Sequence, residues 1–225
     1  MISELFKQLW SNGTLALAIF ETLYLTFIST VIAYIIGLPL GVLLCVTDTN
    51  GIHPIKWLNK LIGIVVNIFR SIPFIILMVA MLPVAKFIVG TSLGNGAMIV
   101  MLVIAASPYI ARMVESSIKE VNGGVIEAAK AMGASSFQIV YKVLIPEALP
   151  SLLVGAVIST VTVLGYSAMA ATIGGGGLGA IAIVWGHQRL KYDIVWFCVI
   201  ATVIIVQVIQ ELGMYLAKKI DKRIN

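Results

Sequence analysis

Glu127, Ala128, Ala129, Gly133, Ser135, Ser136 and Pro146 are the residues whose types and spacing look built for a task, and that task is recognition, not bond making. They lie in EAAKAMGASSFQIVYKVLIP, a moderately polar island between strongly apolar runs. Glu127 to Ala129 open a short helical segment and Gly133 interrupts it after about two turns. Ser135 and Ser136 can cap a second helical run, which Pro146 is expected to limit. Ala128 and Ala129 carry almost no side chain, so another protein could approach the backbone closely, and Glu127 suits the positive end of a helix dipole. A helix, a bend and a second helix would form a docking element.

Other chemistries lack their residues. No HExxH, no GxSxG and no paired carboxylate occurs in an apolar run, so an intramembrane hydrolase has neither nucleophile nor metal site. No GxxxxGK[ST] occurs, so the chain has no P-loop for ATP. The cluster Gly174 to Gly177 with Gly179 lacks the Lys-Ser or Lys-Thr that completes a phosphate cradle, and it is expected to be a flexible re-entry. Asp and Glu are absent between Thr22 and Thr47, Leu61 and Ala85, Ala97 and Val114, and Ser151 and Tyr192. Proton-coupled carriers usually hold a carboxylate or His within the membrane, so the energy source must lie elsewhere. Cys45 and Cys198 have no metal-ligand spacing around them and are expected to be lipid-facing or packed.

Composition sets the class. Of 225 residues, 60% are hydrophobic and 11% charged, and mean hydropathy is +1.06. That balance is an integral membrane protein's. The net charge of +5 is spread over short flanks of apolar runs, not gathered in one patch with stacking aromatics, which excludes nucleic-acid binding.

The expected fold is all-α, with five transmembrane helices and a cytoplasmic docking helix between the third and fourth. Residues 1–16 are an external lead with Trp10 near the headgroups. Residues 17–211 form the membrane domain, and 212–225 the end of the last helix and a basic tail. The spans fall at about 18–46, 60–86, 97–114, 150–173 and 194–216. The first apolar run, about Thr14 to Val46, far exceeds a signal-peptide core of about 7 to 15 residues, so it reads as a retained span. Gly37, Pro39 and Gly41 could kink it. In the second, Arg70 of FRSIPF must snorkel to the cytoplasmic face, pair, or face a wet cavity where it lines the path or helps hold a gate. Pro150 is expected to open the fourth span from its first turn. Ser151, Gly155, Ser159, Thr160, Thr162, Gly165, Ser167 and Ala168 make that span rich in small and hydroxyl-bearing residues, suited either to close packing or to hydrogen-bonding a solute. The segment from about Leu178 to Trp185 is too short to cross and should lie at the outer interface.

Basic residues orient the chain. With the docking loop inside, Lys56, Lys60, Arg112, Lys119, Lys130, Lys142, Lys218, Lys219, Lys222 and Arg223 are cytoplasmic, against Lys7, Lys86, Arg189 and Lys191 outside. The N-terminus is then external and the C-terminus cytoplasmic.

The EAA triplet, the Gly four residues after it and the apolar-x-apolar-Pro ending resemble the signature loop of type I ABC-importer permeases. Val143 and Ile145 stand where that family more often has Ile and Leu. NIFRSIPFIIL (Asn67 to Leu77), SPYIARMVE (Ser107 to Glu115), VLIPEALP (Val143 to Pro150) and GYSAMAATIGGGGLG (Gly165 to Gly179) narrow the resemblance to methionine-uptake permeases, from about Glu21 to Glu211. It implies a non-catalytic translocation subunit of a bacterial plasma membrane, whose loop is a coupling helix seated in a cleft of a separate ATPase. It also implies a homodimer with two ATPase subunits that bind the ATP and magnesium, no cofactor in this chain, and an external binding lipoprotein delivering D- or L-methionine. Arg70, Ser71, Ser159, Thr162, Tyr166, Ser167 and Met169 are then candidates for the path. Two other readings stay open: a membrane enzyme or assembly protein whose loop docks a different cytoplasmic partner, and a permease for another small polar amino acid.

Overall fold

A computed structural model describes residues 4–221, and every regular element among them is helical. The first, α1 (Glu4–Ser11), turns at Gly13, where φ is +72°, into α2 (Thr14–Thr47). At 1.5 Å per residue α2 is roughly 51 Å long, well beyond a hydrocarbon core of about 30 Å. Gly37, Pro39 and Gly41 do not interrupt it. The two glycines serve proximity instead: a Cβ on Gly37 would lie 2.7 Å from the Ile110 side chain, and one on Gly41 2.5 Å from the Ala111 carbonyl. Both neighbours belong to α6 (Gly94–Lys119).

The second apolar run, expected to hold one span at about 60–86, is broken. It comprises α3 (Lys56–Ser71) and α4 (Phe74–Ala80), which meet at 105°. The cause is local. Ile72 precedes Pro73 and is extended (φ −85°, ψ 125°), because the proline ring crowds a helical residue before it. A short α5 (Leu82–Val89) follows and ends at Gly90, φ +80°.

After α6 comes α7 (Gly123–Ala131), then α8 (Ser136–Ser167), a single 32-residue apolar helix. This corrects the expected start of the fourth span. Pro150 lies well inside α8, not in a first turn, and Pro146 does not end the run before it. A widened turn at Val140–Leu144 reconciles the prolines with the helix: the Ile145 amide reaches back five residues to the Val140 carbonyl. Opening the ladder just before Pro146 accommodates a residue that has no N–H and whose ring crowds the carbonyl four back. The far end also differs, because Ala168–Ile173 is a tight 3-10 turn and not α-helix. Then come α9 (Leu178–His187), too short to cross as expected, and α10 (Tyr192–Ile220). Among the described residues four helices are long and apolar enough to span, and the number is five if the bent α3–α4 pair is one span.

The chain divides into two compact units, Met1–Ile32 with Pro73–Ala105 and Thr160–Gln210, and Ala33–Ile72 with Ala106–Ser159 and Glu211–Asn225. In the first, Leu9, Leu15, Leu178, Ile181, Ile194 and Cys198 form one buried cluster, and Phe6 and Trp10 of α1 meet Phe197 edge-on at 5.5 and 5.8 Å. In the second, Leu44, Val66 and Ala111 bind α2, α3 and α6. Between helices in lipid the gain comes from packing, because lipid tails are as apolar as the side chains. That is why Trp196, Ile200, Val203, Ile204 and Leu212 stay exposed along one stripe of α10.

Candidate functional site

The loop from Asn122 to Pro146 satisfies its own backbone. The Asn122 side chain caps α7 by accepting from the Gly124 amide at 2.8 Å. At the other end Gly133 sits at φ +78°, its amide donating to the Lys130 carbonyl at 2.9 Å, while the Ala134 amide donates to the Ala129 carbonyl at 3.1 Å. These paired bonds are the Schellman ending, which needs a left-handed residue at Gly133. Ser135 then caps α8 with Gln138 in a reciprocal box: the Gln138 amide donates to Ser135 Oγ at 3.3 Å, and the Ser135 amide to Gln138 Oε1 at 2.8 Å. The caps of the two helices and the bend between them therefore find their hydrogen-bond partners within the loop.

Among the side chains the loop presents, three are large and apolar. Met132 is 82% exposed, Phe137 78% and Tyr141 66%, with the last two rings stacked at 6.5 Å. Glu127, Ala128 and Gly133 are exposed beside them, Ala129 and Leu144 are buried, and Val143 and Ile145 are half-buried. Exposed aromatic and methionine side chains on a loop rooted in polar structure mark an interaction site. The small residues were legible in the sequence and Met132, Phe137 and Tyr141 were not, although the four-residue helical spacing of Phe137 and Tyr141 was an available signal.

An ion network anchors the root of the loop. Lys119 Nζ lies 2.7 Å from Asp48 Oδ2 and 2.8 Å from Glu115 Oε1, and Arg112 Nη1 lies 2.6 Å from Glu115 Oε2. Arg112 Nη2 also donates to Asn67 Oδ1 at 3.0 Å, and Asn59 Nδ2 to the Leu44 carbonyl at 2.6 Å. The hydrogen bond from Lys119 holds the Asp48 carboxyl below its ordinary value. Together these contacts fasten α2, α3 and α6. Beside them a cavity of about 420 Å³ opens between the Asp48–Ile52 turn and α7, with Lys130 and Leu144 on its wall.

The seven candidate path residues divide between the units. In the second, Arg70 and Ser71 are exposed at the end of α3, with Ser71 Oγ donating to the Asn67 carbonyl at 2.8 Å, and Ser159 is fully buried. In the first, Tyr166 stacks on Phe74 at 4.6 Å and 8°, Ser167 donates to its own Leu164 carbonyl at 2.7 Å, Thr162 is half-buried and Met169 is exposed. The Tyr166–Phe74 pair joins α8 to the helix that follows the bend at Pro73.

Residues 37–225 match the family model described as the binding-protein-dependent transport system inner membrane component. The chain belongs to that family. The permease is 46% identical over 213 residues to a probable D-methionine transport system permease protein of Vibrio cholerae, covering 95% of each chain. It is 44% identical over 216 residues to a methionine import system permease protein of Bacillus subtilis, covering 96% of this chain and 95% of that one. An inward-facing form of the MetNI methionine ABC transporter superposes with a TM-score of 0.92 at 43% identity, over 98% of this permease and all of the matched chain. An amino-acid ABC transporter solved with histidines shares the fold at a TM-score of 0.79 and 18% identity. The protein is thus a multi-pass membrane permease whose work is transport.

Proposed function

We propose that this permease is the translocation subunit of an ATP-driven methionine importer, moving substrate from an external binding lipoprotein to the cytoplasm by alternating access. The observation that carries the substrate assignment is identity above 40% along nearly the whole of two methionine permeases. The loop supports the energy route. The chain has no P-loop, and a self-capped helix–bend–helix with Met132, Phe137 and Tyr141 outward is suited to seating in a separate ATPase, which binds the ATP and magnesium.

In this reading Glu127, Ala128 and Gly133 face the ATPase, buried Ala129 lets the loop pack closely beneath them, and Val143, Ile145 and Pro146 root the second helix of the loop. Closure of two ATPase subunits would push on two such loops, so the assembly is a homodimer of this chain with two ATPases. The loop and the C-terminus are cytoplasmic and the N-terminus external. Arg70, Ser71, Ser159, Thr162, Tyr166, Ser167 and Met169 remain the candidate lining.

Purification from native membranes in mild detergent, with the copies counted, tests the assembly: two copies of this chain with two of an ATPase are expected, and a lone chain or a partner without ATPase activity overturns it. Labelled-methionine uptake tests the substrate. Gly133→Asp should assemble into the complex yet transport nothing, and undiminished uptake by that variant removes the loop from the coupling route.

A further inference from the structure

The glycine cluster expected to be a flexible re-entry is fastened instead. Three successive amides donate to side chains far away in sequence: Gly176 to Asn95 Oδ1 at 2.7 Å, Gly177 to Glu21 Oε2 at 2.8 Å and Leu178 to Thr22 Oγ1 at 2.8 Å. Asn95 Nδ2 donates to the other carboxylate oxygen, Glu21 Oε1, at 3.0 Å. The Thr22 hydroxyl passes its own proton to the Ala18 carbonyl at 2.9 Å. Glu21 and Asn95 thus hold each other while each takes one glycine amide.

The fit leaves no slack. A Cβ on Gly176 would land on the Glu21 carboxylate, and Gly177, at φ +94°, would place one 2.9 Å from Thr22 Oγ1. Leu178, next in line, is 2% exposed within the apolar cluster of the first unit. An acidic side chain at the edge of an apolar span is costly unless its charge is met. Here both oxygens are met, by an amide group and a backbone N–H.

We propose that Glu21 is a positioning residue of the transport cycle: with Asn95 it locks α2, the start of α6 and the turn ahead of α9 into a body that moves as one. The turn is also the end of the 168–173 segment carrying Met169, so the lock fixes where that segment finishes. Apolar anchoring through Leu178 alone would leave the glycine amides open to water. The proposal rests on the permease reading for its place in a cycle, but the lock itself is a property of the chain.

Hydrogen exchange on the intact complex, nucleotide-free and ATP-bound, tests the lock directly. The amides of residues 176–178 should exchange at least about a hundredfold more slowly than an unstructured glycine peptide in both states. Rapid exchange in either state overturns a body that moves as one.

Substitution tests the role. Glu21→Gln sets an amide donor against the Asn95 amide or the Gly177 N–H, and Asn95→Asp sets carboxylate against carboxylate. Each should cut methionine carried per ATP hydrolysed by roughly tenfold, the scale of one charge-assisted hydrogen bond. The double exchange E21Q/N95D restores every donor to an acceptor: the new amide donates to the new carboxylate and accepts from Gly177, while Gly176 keeps its acceptor. Recovery of most of the ratio is expected. Unchanged ratios in the single variants, or an assembled double variant without recovery, overturns the positioning role. If the single variants fail to assemble, exchange in the wild type still decides. A wrong transport reading would appear separately, as absent methionine uptake in the wild-type complex.

Discussion

Two glycine-punctuated bends are built in opposite ways. The bend at Gly133 closes on itself, with every stabilising bond reaching five residues or fewer: Asn122 to Gly124, Lys130 to Gly133, Ala129 to Ala134, Ser135 to Gln138. The bend at Gly174 to Gly177 closes on Glu21, Thr22 and Asn95, between 81 and 156 positions away. A self-sufficient bend can be pushed as a rigid lever by a partner that touches nothing else. A bend held by distant helices can move only as those helices move. The first arrangement suits a site that receives force, the second a site that transmits position.

The contrast sharpens at the glycines themselves. Around Gly179 a Cβ would fall on the Ala168 carbonyl, a backbone atom with nowhere to retreat. Gly179→Ala should therefore cost about 1 to 3 kcal/mol or more and lower the melting temperature of the purified complex most among these variants. Around Gly133 a Cβ meets nothing within 4 Å, so only the left-handed backbone resists. Gly133→Ala should cost roughly 1 to 2 kcal/mol, and Gly133→Asn, which tolerates that backbone better, clearly less. If the two alanine variants melt together, the distinction between a packed and an open glycine bend fails.

The same difference decides what could be known in advance. Gly133, Ser135 and the EAA triplet announce their bend because local capping chemistry is written in neighbouring residues. The role of Glu21 is invisible, since nothing near it names Asn95 or Gly177. The one clue near it is a carboxylate early in an apolar run, one residue ahead of the acid-free stretch that begins at Thr22. The long apolar runs were legible for a similar reason, since each is written in consecutive residues. The break at Pro73 was signalled by the proline but not its angle, and the continuity of α8 past Pro146 depended on a widened turn that no proline rule anticipates. For the path residues the sequence named polar side chains, while burial of Ser159 and the stacking of Tyr166 on Phe74 come from tertiary packing.

Within the self-contained loop, Ser135→Ala removes the acceptor for the Gln138 amide and should cost about 1 kcal/mol. Because the box is local, the effect should be confined to the loop. Faster hydrogen exchange at residues 136–139, with the 176–178 amides unchanged, is the expected pattern. Loosening at both bends would mean that they are coupled more tightly than their bonds suggest.

The smallest effect belongs to the ion pair at the loop's root. Asp48 and Lys119 are partly open to solvent, with side chains 30% and 47% exposed, so their bond contributes at most about 1 kcal/mol after screening. Its sign with pH is fixed. The Lys119 hydrogen bond lowers the Asp48 pKa in the fold below its ordinary 3.8, so the stabilisation is fully present above that value and disappears as pH falls through the lower folded one. Asp48→Asn should melt slightly below wild type at neutral pH, and the gap should close in acid only as pH falls through the lowered folded value. High salt should narrow the same gap at neutral pH, because the pair is accessible to ions. A gap that persists in acid would assign the stabilisation to the shape of the Asp48 turn and not to its charge.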